Sequence, residues 1–387
     1  MKIVFISNSF PPLVDGVGDY TYHLSFQFAE RGHKVYIICS KKKEIIDYWQ
    51  KNTSRIEIIP IIDSWHIGTI PILLAQIKKI KPDWILLQYV PYAFSYYGLP
   101  FSLIYLNLLL KFKKFKTLIT FHELFIGIEL HKLKYLPIAI CQRLIAYTLA
   151  FLAKKIIVSI DITQKSLSFF SKKVSRVPVP SNIVPYQTSV QELSANKYKI
   201  AANNEFVICS FGIRKHDGIL DVLAGLIQEG YNVKLVLMGK ISELQASEIL
   251  TKARSLYIED RLLLTGYLTE KEIFINLKCA DLFILLETVN KKGHGGASTK
   301  SGSLAAAYAA GLPIISTKGH ITDDFFIDHK NILFVKQNNF PILLSSIKSV
   351  INNQYLRQEL SEGATATYER ELNWNKATEK YMKALSS

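Results

Sequence analysis

Glycine, hydroxyl and lysine residues are concentrated between two apolar segments in the last third of the chain, a combination suited to holding an anion. The pattern predicts a strand over residues 282–286, a loop, a helix that begins near Ser301 and a second strand after Gly311. A helix N-terminus offers unpaired N–H groups and the positive end of the helix dipole, so we predict a phosphate site there. A capped surface loop is the alternative. The predicted ligand-binding residues are Ser298, Thr299, Lys300, Ser301, Gly302 and Ser303.

A similar segment follows the first predicted strand and opens a helix predicted over residues 18–31. Its residues Gly16, Val17 and Gly18 would let backbone amides approach a second phosphate, and a flexible turn is the alternative. A dinucleotide-binding fingerprint fits badly, because a third glycine at the required spacing is absent. The second strand also leads into three lysines, with no acid placed to bind a ribose.

Three further groups of candidate residues follow predicted strands. His122 could donate to a sugar hydroxyl or a phosphate, and a structural histidine is the alternative. Arg214 and Lys215 could neutralise a diphosphate, and exposed loop charge is the alternative. Backbone groups of a later turn could hydrogen-bond a nucleobase, and this turn comprises Gly266, Tyr267 and Leu268.

Strands and helices alternate along the 387 residues, and the strands are continuous apolar runs, typical of strands buried on both faces. The pattern predicts two α/β domains with parallel sheets, residues 1–185 and 205–370, joined by a linker over residues 186–204 that follows Pro178, Pro180 and Pro185. Because ligands bind at the carboxyl ends of parallel strands, we expect the site in the cleft between the domains. The predicted strands are 2–7, 34–39, 56–61, 84–89, 117–121, 155–159, 206–211, 233–238, 262–264, 282–286, 313–316 and 332–335.

The positive charge is concentrated in the first half. Residues 1–190 contain 24 of the 47 Lys and Arg residues but only 11 of the 32 Asp and Glu residues. Nucleic acid, an anionic membrane or an acidic substrate could explain this charge, and a lysine-rich surface without a partner is the alternative. We expect no nucleic-acid partner, because no recognised binding module is present. Basic and aromatic residues interleave at 111–116 and 131–135, beside two apolar helices, which favours contact with an anionic membrane.

The four cysteines lie far apart, without a C-x-x-C or Cys/His spacing, and no D-x-D motif is present, so we expect no metal site. No signal peptide is visible, and no apolar stretch is a clean membrane span. We therefore expect a cytoplasmic protein located at the inner face of the cytoplasmic membrane.

At these residues the sequence resembles the retaining glycosyltransferases of family four, which have the GT-B fold, over nearly its whole length. His122 matches the histidine of the family's T-x-H-[DE] turn, and Arg214 matches the arginine of its G-R…K-G motif. Trp374 resembles the aromatic residue that opens the final helix. The other matching segments are Thr265-Gly266-Tyr267-Leu268 with Ala280-Asp281-Leu282, and Gly311-Leu312-Pro313.

The chain departs from the family pattern in the donor loop. Ser298 and Ala306 stand where the family usually has the two glutamates of a Glu-x7-Glu motif, and Asp217 stands where a phosphate-binding lysine is usual. Residues 296–304 resemble a subgroup in which backbone amides and hydroxyl groups hold the donor, and Lys215 would compensate for Asp217.

The resemblance implies a GT-B enzyme of two Rossmann-like domains, with residues 371–387 forming a helix that crosses back to the first domain. It implies metal-independent transfer of a hexose, with retained configuration, from a UDP- or GDP-linked sugar to a glycan or lipid-linked acceptor of the lipopolysaccharide type. It implies no cofactor besides the donor. His122, Arg214 and Lys215 would be the catalytic residues. The alternative is a GT-B protein without transferase activity, either an epimerase or an inactive partner subunit.

Overall fold

The computed structural model describes residues 1–51, 55–128, 134–201, 204–212, 218–290, 293–336 and 339–386. The chain forms two compact units. The first comprises Met1–Pro178 and Ala377–Ser387, and the second comprises Val179–Lys376. Each unit is an α/β structure built on one parallel sheet.

The sheet of the first unit contains seven strands: β1 (Lys2–Ile6), β2 (Lys34–Ser40), β3 (Ile56–Ile62), β4 (Trp84–Tyr89), β5 (Thr117–Phe121), β6 (Lys155–Val158) and β7 (Val174–Arg176). They lie in the order β3-β2-β1-β4-β5-β6-β7, and every neighbouring pair is parallel. The helices are α1 (Gly16–Glu30), α2 (Lys43–Lys51), α3 (Ile70–Ile80), α4 (Pro91–Phe94), α5 (Phe101–Phe112), α6 (Leu136–Leu152) and α7 (Asp161–Ser166).

The sheet of the second unit contains six strands: β8 (Phe206–Phe211), β9 (Val233–Met238), β10 (Leu262–Leu264), β11 (Leu282–Leu285), β12 (Ile314–Thr317) and β13 (Leu333–Val335). They lie in the order β10-β9-β8-β11-β12-β13, again parallel throughout. The helices are α8 (Val190–Ile200), α9 (Ile219–Gln228), α10 (Glu243–Ser255), α11 (Glu270–Cys279), α12 (Gly302–Ala310), α13 (Phe340–Asn352) and α14 (Gln354–Thr367), and α15 (Trp374–Ser386) ends the chain.

The apolar runs identified in the sequence form the cores of both sheets, as predicted. All six residues of β4 are buried, including the polar Gln88. The prediction missed β7, which has only three residues and lies at the sheet edge with two of them half-buried. A strand this short and polar gives no recognisable pattern in the sequence.

Two local predictions need correction. Helix α1 begins at Gly16 rather than residue 18, because the carboxylate of Asp15 accepts from the N–H of Gly18 at 2.7 Å and caps the helix. The segment 186–204, predicted as a linker, contains α8, whose cap Ser189 accepts from the N–H of Glu192. Helix α8 packs against α11 inside the second unit.

The carboxyl-terminal part of α15 belongs to the core of the first unit. Tyr381 is fully buried there, and its hydroxyl lies 2.7 Å from that of Thr120 and 3.2 Å from that of Tyr20. Burial raises the pKa of Tyr381 well above its ordinary value, so the hydroxyl is neutral at physiological pH. The three hydroxyl groups form a buried network that joins the last helix to β5 and α1.

We expect Tyr381→Phe to destabilise the first unit by about 1–3 kcal/mol, because it leaves the hydroxyls of Tyr20 and Thr120 without this buried partner. Urea unfolding of the full chain measures the change. The control is Tyr97→Phe, which removes a hydroxyl from a side chain that is 68% exposed and should cost less than about 0.5 kcal/mol. Equal stability of the two variants would contradict the role of the network.

Candidate functional site

In the second sheet, successive strands are added first on one side of β8 and then on its other side. The chain proceeds from β8 to β9 and β10 on one side, and then continues through β11, β12 and β13 on the other. The loops after β8 and β11 therefore leave in opposite directions and open a crevice at the carboxyl ends of these strands. The first of these loops begins at Gly212, and the second leads into α12.

The N-terminus of α12 lies at this crevice, and the helix begins after its cap Ser301, close to the predicted start. The Ser301 hydroxyl accepts from the N–H of Leu304 at 3.3 Å. The N–H groups of Gly302 and Ser303 belong to the first helical turn, where no intrahelical acceptor is available. Gly302 is exposed and Ser303 is half-buried, so this end of the helix presents backbone donors and a positive dipole to an incoming anion.

Gly212 brings the end of β8 directly against this helix end. A Cβ atom at Gly212 would lie 2.6 Å from the hydroxyl oxygen of Ser303, and its φ of 92° is also unfavourable for other residues. Gly239 and Gly266 follow β9 and β10 and also have positive φ, of 117° and 68°. Among the described residues, nothing lies within 4 Å of a Cβ built at either position, so this edge of the sheet exposes backbone. The sequence analysis overlooked Gly239, which directly follows a strand in the same way as Gly212.

The residues before α12 hold the loop in place. Thr299 donates from both its N–H and its hydroxyl to one carboxylate oxygen of Asp323, at 2.7 and 2.8 Å, and all these groups are buried. The carbonyl of Ser298 accepts from the N–H of Ser301 at 3.1 Å. Ser298 and Thr299 are buried, whereas Lys300 is exposed. No sequence pattern identified Asp323, because it follows a different strand from the loop that it supports.

Two histidines stabilise the outer part of the same loop. The N–H of Gly295 donates to Nδ1 of His320 at 3.2 Å, and Nε2 of His320 lies 2.9 Å from Nδ1 of His294. Nδ1 of His320 must be unprotonated to accept, so Nε2 carries the proton and donates to His294. Burial and the neighbouring His294 lower the pKa of His320.

The remaining predicted residues of the second unit have different environments. Tyr267 is 78% exposed, while Leu268 packs against the apolar core. Arg214 and Lys215, and also Asp217, lie outside the described residues. The last described residue before them is Gly212, so the segment that contains them starts at the crevice.

In the first unit the corresponding change of side lies between β1 and β4. Gly16, Val17 and Gly18 form the first turn of α1 beside it. Gly16 is exposed, but Gly18 is buried, its N–H is bonded to Asp15, and a Cβ there would lie 3.3 Å from the backbone of Ser9. Gly18 therefore supports the internal packing of the loop, and the amides of Gly16 and Val17 are the more accessible ones.

His122 lies at the same edge, just past β5. Its Nε2 is 2.9 Å from Oε1 of Gln88, and its N–H donates to the carbonyl of Tyr89 at 3.1 Å. The ring of Tyr20 packs edge-on at 4.9 Å between ring centroids, so α1 and His122 are brought together. The sequence analysis missed Gln88, whose signal was one polar residue in an otherwise apolar strand. The buried Nε2 of Gln88 has no hydrogen-bond partner among the described residues.

A cavity of about 480 Å³ opens at this edge of the first sheet. The indole N–H of Trp65 donates to Oδ1 of Asn8 at 2.7 Å, which ties the cavity wall to the loop after β1. Aromatic rings and small hydroxyl groups line the cavity, a composition that suits a sugar or another amphipathic molecule. The lining includes Trp65, His66, Phe94, Ser95, Phe101 and Ser102.

The part of the chain that the structure describes also bears on metal binding and on membrane crossing. No group of three His, Cys, Asp or Glu residues there could hold a metal ion. None of the described helices is long and apolar enough to cross a bilayer.

Comparison with known proteins agrees with this architecture. Residues 191–367 match the model of glycosyl transferases group 1, and residues 14–169 match that of glycosyltransferase family 4. The crystal structure of Anabaena HepE in complex with UDP has a TM-score of 0.73 at 14% identity, with both chains fully covered. This chain has the GT-B fold. One matched region lies in each α/β unit, and the fold prediction is confirmed.

Two further proteins resemble this chain. An uncharacterized glycosyltransferase of Methanocaldococcus jannaschii is 24% identical over 192 residues, which cover 48% of this chain and 46% of the relative. The match thus spans less than half the length of that curated relative. The apo form of WaaB, a lipopolysaccharide outer core galactosyltransferase, has a TM-score of 0.63 at 15% identity and covers 100% of this chain and 99% of WaaB.

We expect Gly212→Ala to destabilise the second unit by about 2–4 kcal/mol, from backbone strain plus the clash with the Ser303 hydroxyl. The control is Gly230→Ala at a φ of 86°, where no described residue lies within 4 Å of the added Cβ, and it should cost only about 1 kcal/mol. Urea unfolding measures both. In a Ser303→Ala background the cost of Gly212→Ala should fall to that of the control, whereas an unchanged cost would contradict close packing of β8 on α12.

Acidification should break the hydrogen bond between Gly295 and His320. The fold favours the neutral ring, so the bond is complete above the ordinary histidine pKa of about 6.5 and is lost as pH falls through the lowered value. NMR titration should show the Gly295 amide and the His320 ring changing with one midpoint, below that of a model histidine peptide. In His320→Asn the amide oxygen can still accept, and the Gly295 signal should no longer follow this titration. A midpoint at or above the peptide value would contradict the assignment.

Proposed function

We propose that this protein transfers a sugar from a nucleoside-diphosphate sugar to a glycan or lipid-linked acceptor. The crevice at the second sheet supports the donor site most directly. There the first turn of α12, with Gly302 and Ser303, lies against a strand end that has no side chain. Backbone donors and the helix dipole suit a diphosphate, and the glycine lets the end of the strand lie close to these donors.

The other proposed donor contacts lie at the carboxyl ends of strands in the same sheet. We assign Arg214 and Lys215 to the diphosphate, since their segment begins at Gly212. Ser298, Thr299, Lys300 and Ser301 shape the loop around it, with Lys300 supplying an exposed positive charge. The backbone after β10 is assigned to the base, through Gly266, Tyr267 and Leu268. A UDP-linked sugar is the first choice, because HepE has been solved with UDP and with UDP-glucose; a GDP-linked sugar is the second.

The acceptor is assigned to the first unit. The cavity beside Trp65 and Phe101 offers aromatic faces for sugar rings, and His122, held by Gln88, lies at the same sheet edge. Gly16, Val17 and Gly18 supply the first turn of α1 at that edge. WaaB is a galactosyltransferase of the lipopolysaccharide outer core. Its similar structure supports the proposal that this protein is a hexosyltransferase of the lipopolysaccharide type. The basic first unit fits a cytoplasmic enzyme in peripheral contact with an anionic inner membrane surface.

The proposed reaction breaks the bond between the anomeric carbon and the diphosphate and forms a bond to the acceptor oxygen, with retained configuration. Negative charge grows on the leaving diphosphate in the transition state. Arg214, Lys215 and the α12 amides stabilise it as preorganised donors, without a metal ion. The acceptor proton leaves with a donor phosphate oxygen, and no cofactor besides the donor takes part.

Replacing Arg214 with Ala should raise the barrier to transfer by about 2–4 kcal/mol, because one charge on the diphosphate would be lost. This corresponds to a fall in kcat of roughly 30- to 1000-fold. Arg254→Ala is the control, since this exposed arginine of the second unit pairs with Glu259. Steady-state rates of both variants decide the matter, and an unchanged rate for Arg214→Ala would remove Arg214 from the mechanism.

The decisive experiment is a panel of UDP- and GDP-linked sugars, measured first for binding and then for transfer to a membrane-lipid extract, with and without EDTA. Saturable binding of one donor and EDTA-resistant transfer to lipid would support the whole proposal. Donor turnover without an acceptor would instead indicate an epimerase or a hydrolase. If no donor binds, the chain is better explained as an inactive partner subunit.

A further inference from the structure

Helices α5 and α6 have an apolar face where a surface helix is normally polar. They pack against each other on one side of the first sheet. On α5 the exposed side chains recur every three or four residues, so they lie on one stripe along the helix. The same spacing occurs on α6. The exposed residues are Phe101, Tyr105, Leu108 and Phe112 on α5, and Ile140, Leu144, Tyr147 and Phe151 on α6.

This two-helix face is strongly exposed. Phe112 is 83% exposed, Leu144 62% and Phe151 59%. Both helices are also apolar on their buried sides, where residues such as Leu106 and Leu149 belong to the sheet core. A helix that is apolar all round is normally covered on all sides, and contiguous exposed apolar patches mark interaction sites.

Positive charge is concentrated at the carboxyl ends of the two helices. Lys111 lies over the ring of Phe151 at 4.5 Å, and Lys173 approaches the same ring at 5.9 Å and donates to the carbonyl of Phe151. Neither helix contains an acidic residue. The lysines at this end make no ion pair with any acidic residue in the described ranges. They are Lys111, Lys113, Lys114, Lys172 and Lys173.

We propose that the α5–α6 face docks on the surface of an anionic lipid bilayer, with the apolar stripe in the interfacial region and the lysines on the lipid phosphates. Burial and the neighbouring Lys111 lower the pKa of Lys173, as expected for positive charges that lack an anionic partner. Lysine side chains whose stems lie along aromatic rings can reach headgroups while the rings enter the interface. A bilayer supplies both an apolar layer and a dense array of negative charge, which matches both parts of the face.

The position of the face fits the proposed acceptor. Phe101 begins the stripe and also lines the cavity at the carboxyl edge of the first sheet. The lysines lie at the other end of the same helices. A lipid-linked acceptor could therefore keep its carrier in the membrane while its sugar enters the cavity. This inference locates the membrane contact of the proposed function, and it is tested without any transfer reaction.

The test is flotation of the full chain with phosphatidylcholine vesicles, with or without phosphatidylglycerol, near physiological salt. Wild type should float with anionic vesicles and far less with neutral ones. Leu108→Ser/Leu144→Ser should reduce the floated fraction at least about fivefold, because apolar burial on the membrane is lost. Leu244→Ser/Ile342→Ser, which changes exposed apolar residues of the second unit, should float like wild type.

The charge is tested separately. Lys113→Gln/Lys172→Gln should raise the anionic lipid needed for half-maximal binding several-fold and weaken its salt dependence, unlike Lys240→Gln/Lys330→Gln in the second unit. Circular dichroism confirms that each variant is folded.

Equal flotation of wild type and Leu108→Ser/Leu144→Ser would overturn the proposal. So would a wild-type dimer that ignores vesicles and becomes a monomer in that variant, since the face would then bind a second copy. Failure of donor binding alone would affect only the proposed function.

Discussion

The close approach of the end of β8 to the N-terminus of α12 determines where the crevice of the second unit lies. Gly212 has no side chain, so the end of β8 can lie against Ser303 in the first turn of α12. Any larger residue would meet the Ser303 hydroxyl at 2.6 Å, so that side chain would have to turn away or the two ends would have to separate. The contact places two loops that leave in opposite directions at one crevice, and it brings the backbone donors of α12 to that crevice. The donor proposal and the assignments around it depend on this one approach.

The two units show the same parallel architecture with different surroundings. In the second unit glycines at three strand ends expose the backbone, which suits an anion and a planar base. In the first unit aromatic rings and a histidine held by Gln88 line the edge, which suits an uncharged, hydroxyl-rich molecule. This difference supports the division of donor and acceptor between the units. With this division, the positive charge of residues 1–190 serves to bring the enzyme to its acceptor rather than to bind the donor.

Much of the fold could be predicted from the sequence, because strands buried on both faces must be apolar throughout. Twelve strands follow that pattern, whereas β7 is too short and polar to show it. The helix at Ser301 was predictable from its cap, yet the similar signal of Asp15 was overlooked, which placed the start of α1 too late. Capping is local, so it is readable from sequence once it is sought.

The supporting residues of the site could not be predicted in the same way. Asp323 and Gln88 act on groups 24 and 34 residues away, and only the folded sheet brings these pairs together. The exposed apolar face of α5 and α6 was hidden for another reason. Apolar residues on all sides of a helix give no periodic contrast, so the sequence favours a core helix and does not show which side lacks a cover.

The most direct test of the donor site is NMR titration of the full chain with UDP, observing the backbone amides of Gly302 and Ser303. If the first turn of α12 holds the diphosphate, both amide signals will shift saturably and in parallel with binding measured by calorimetry. UMP, which lacks the second phosphate, will then cause smaller shifts at the same two amides. If UDP binds while these amides remain unchanged, the diphosphate lies elsewhere, and the donor site is not at the first turn of α12.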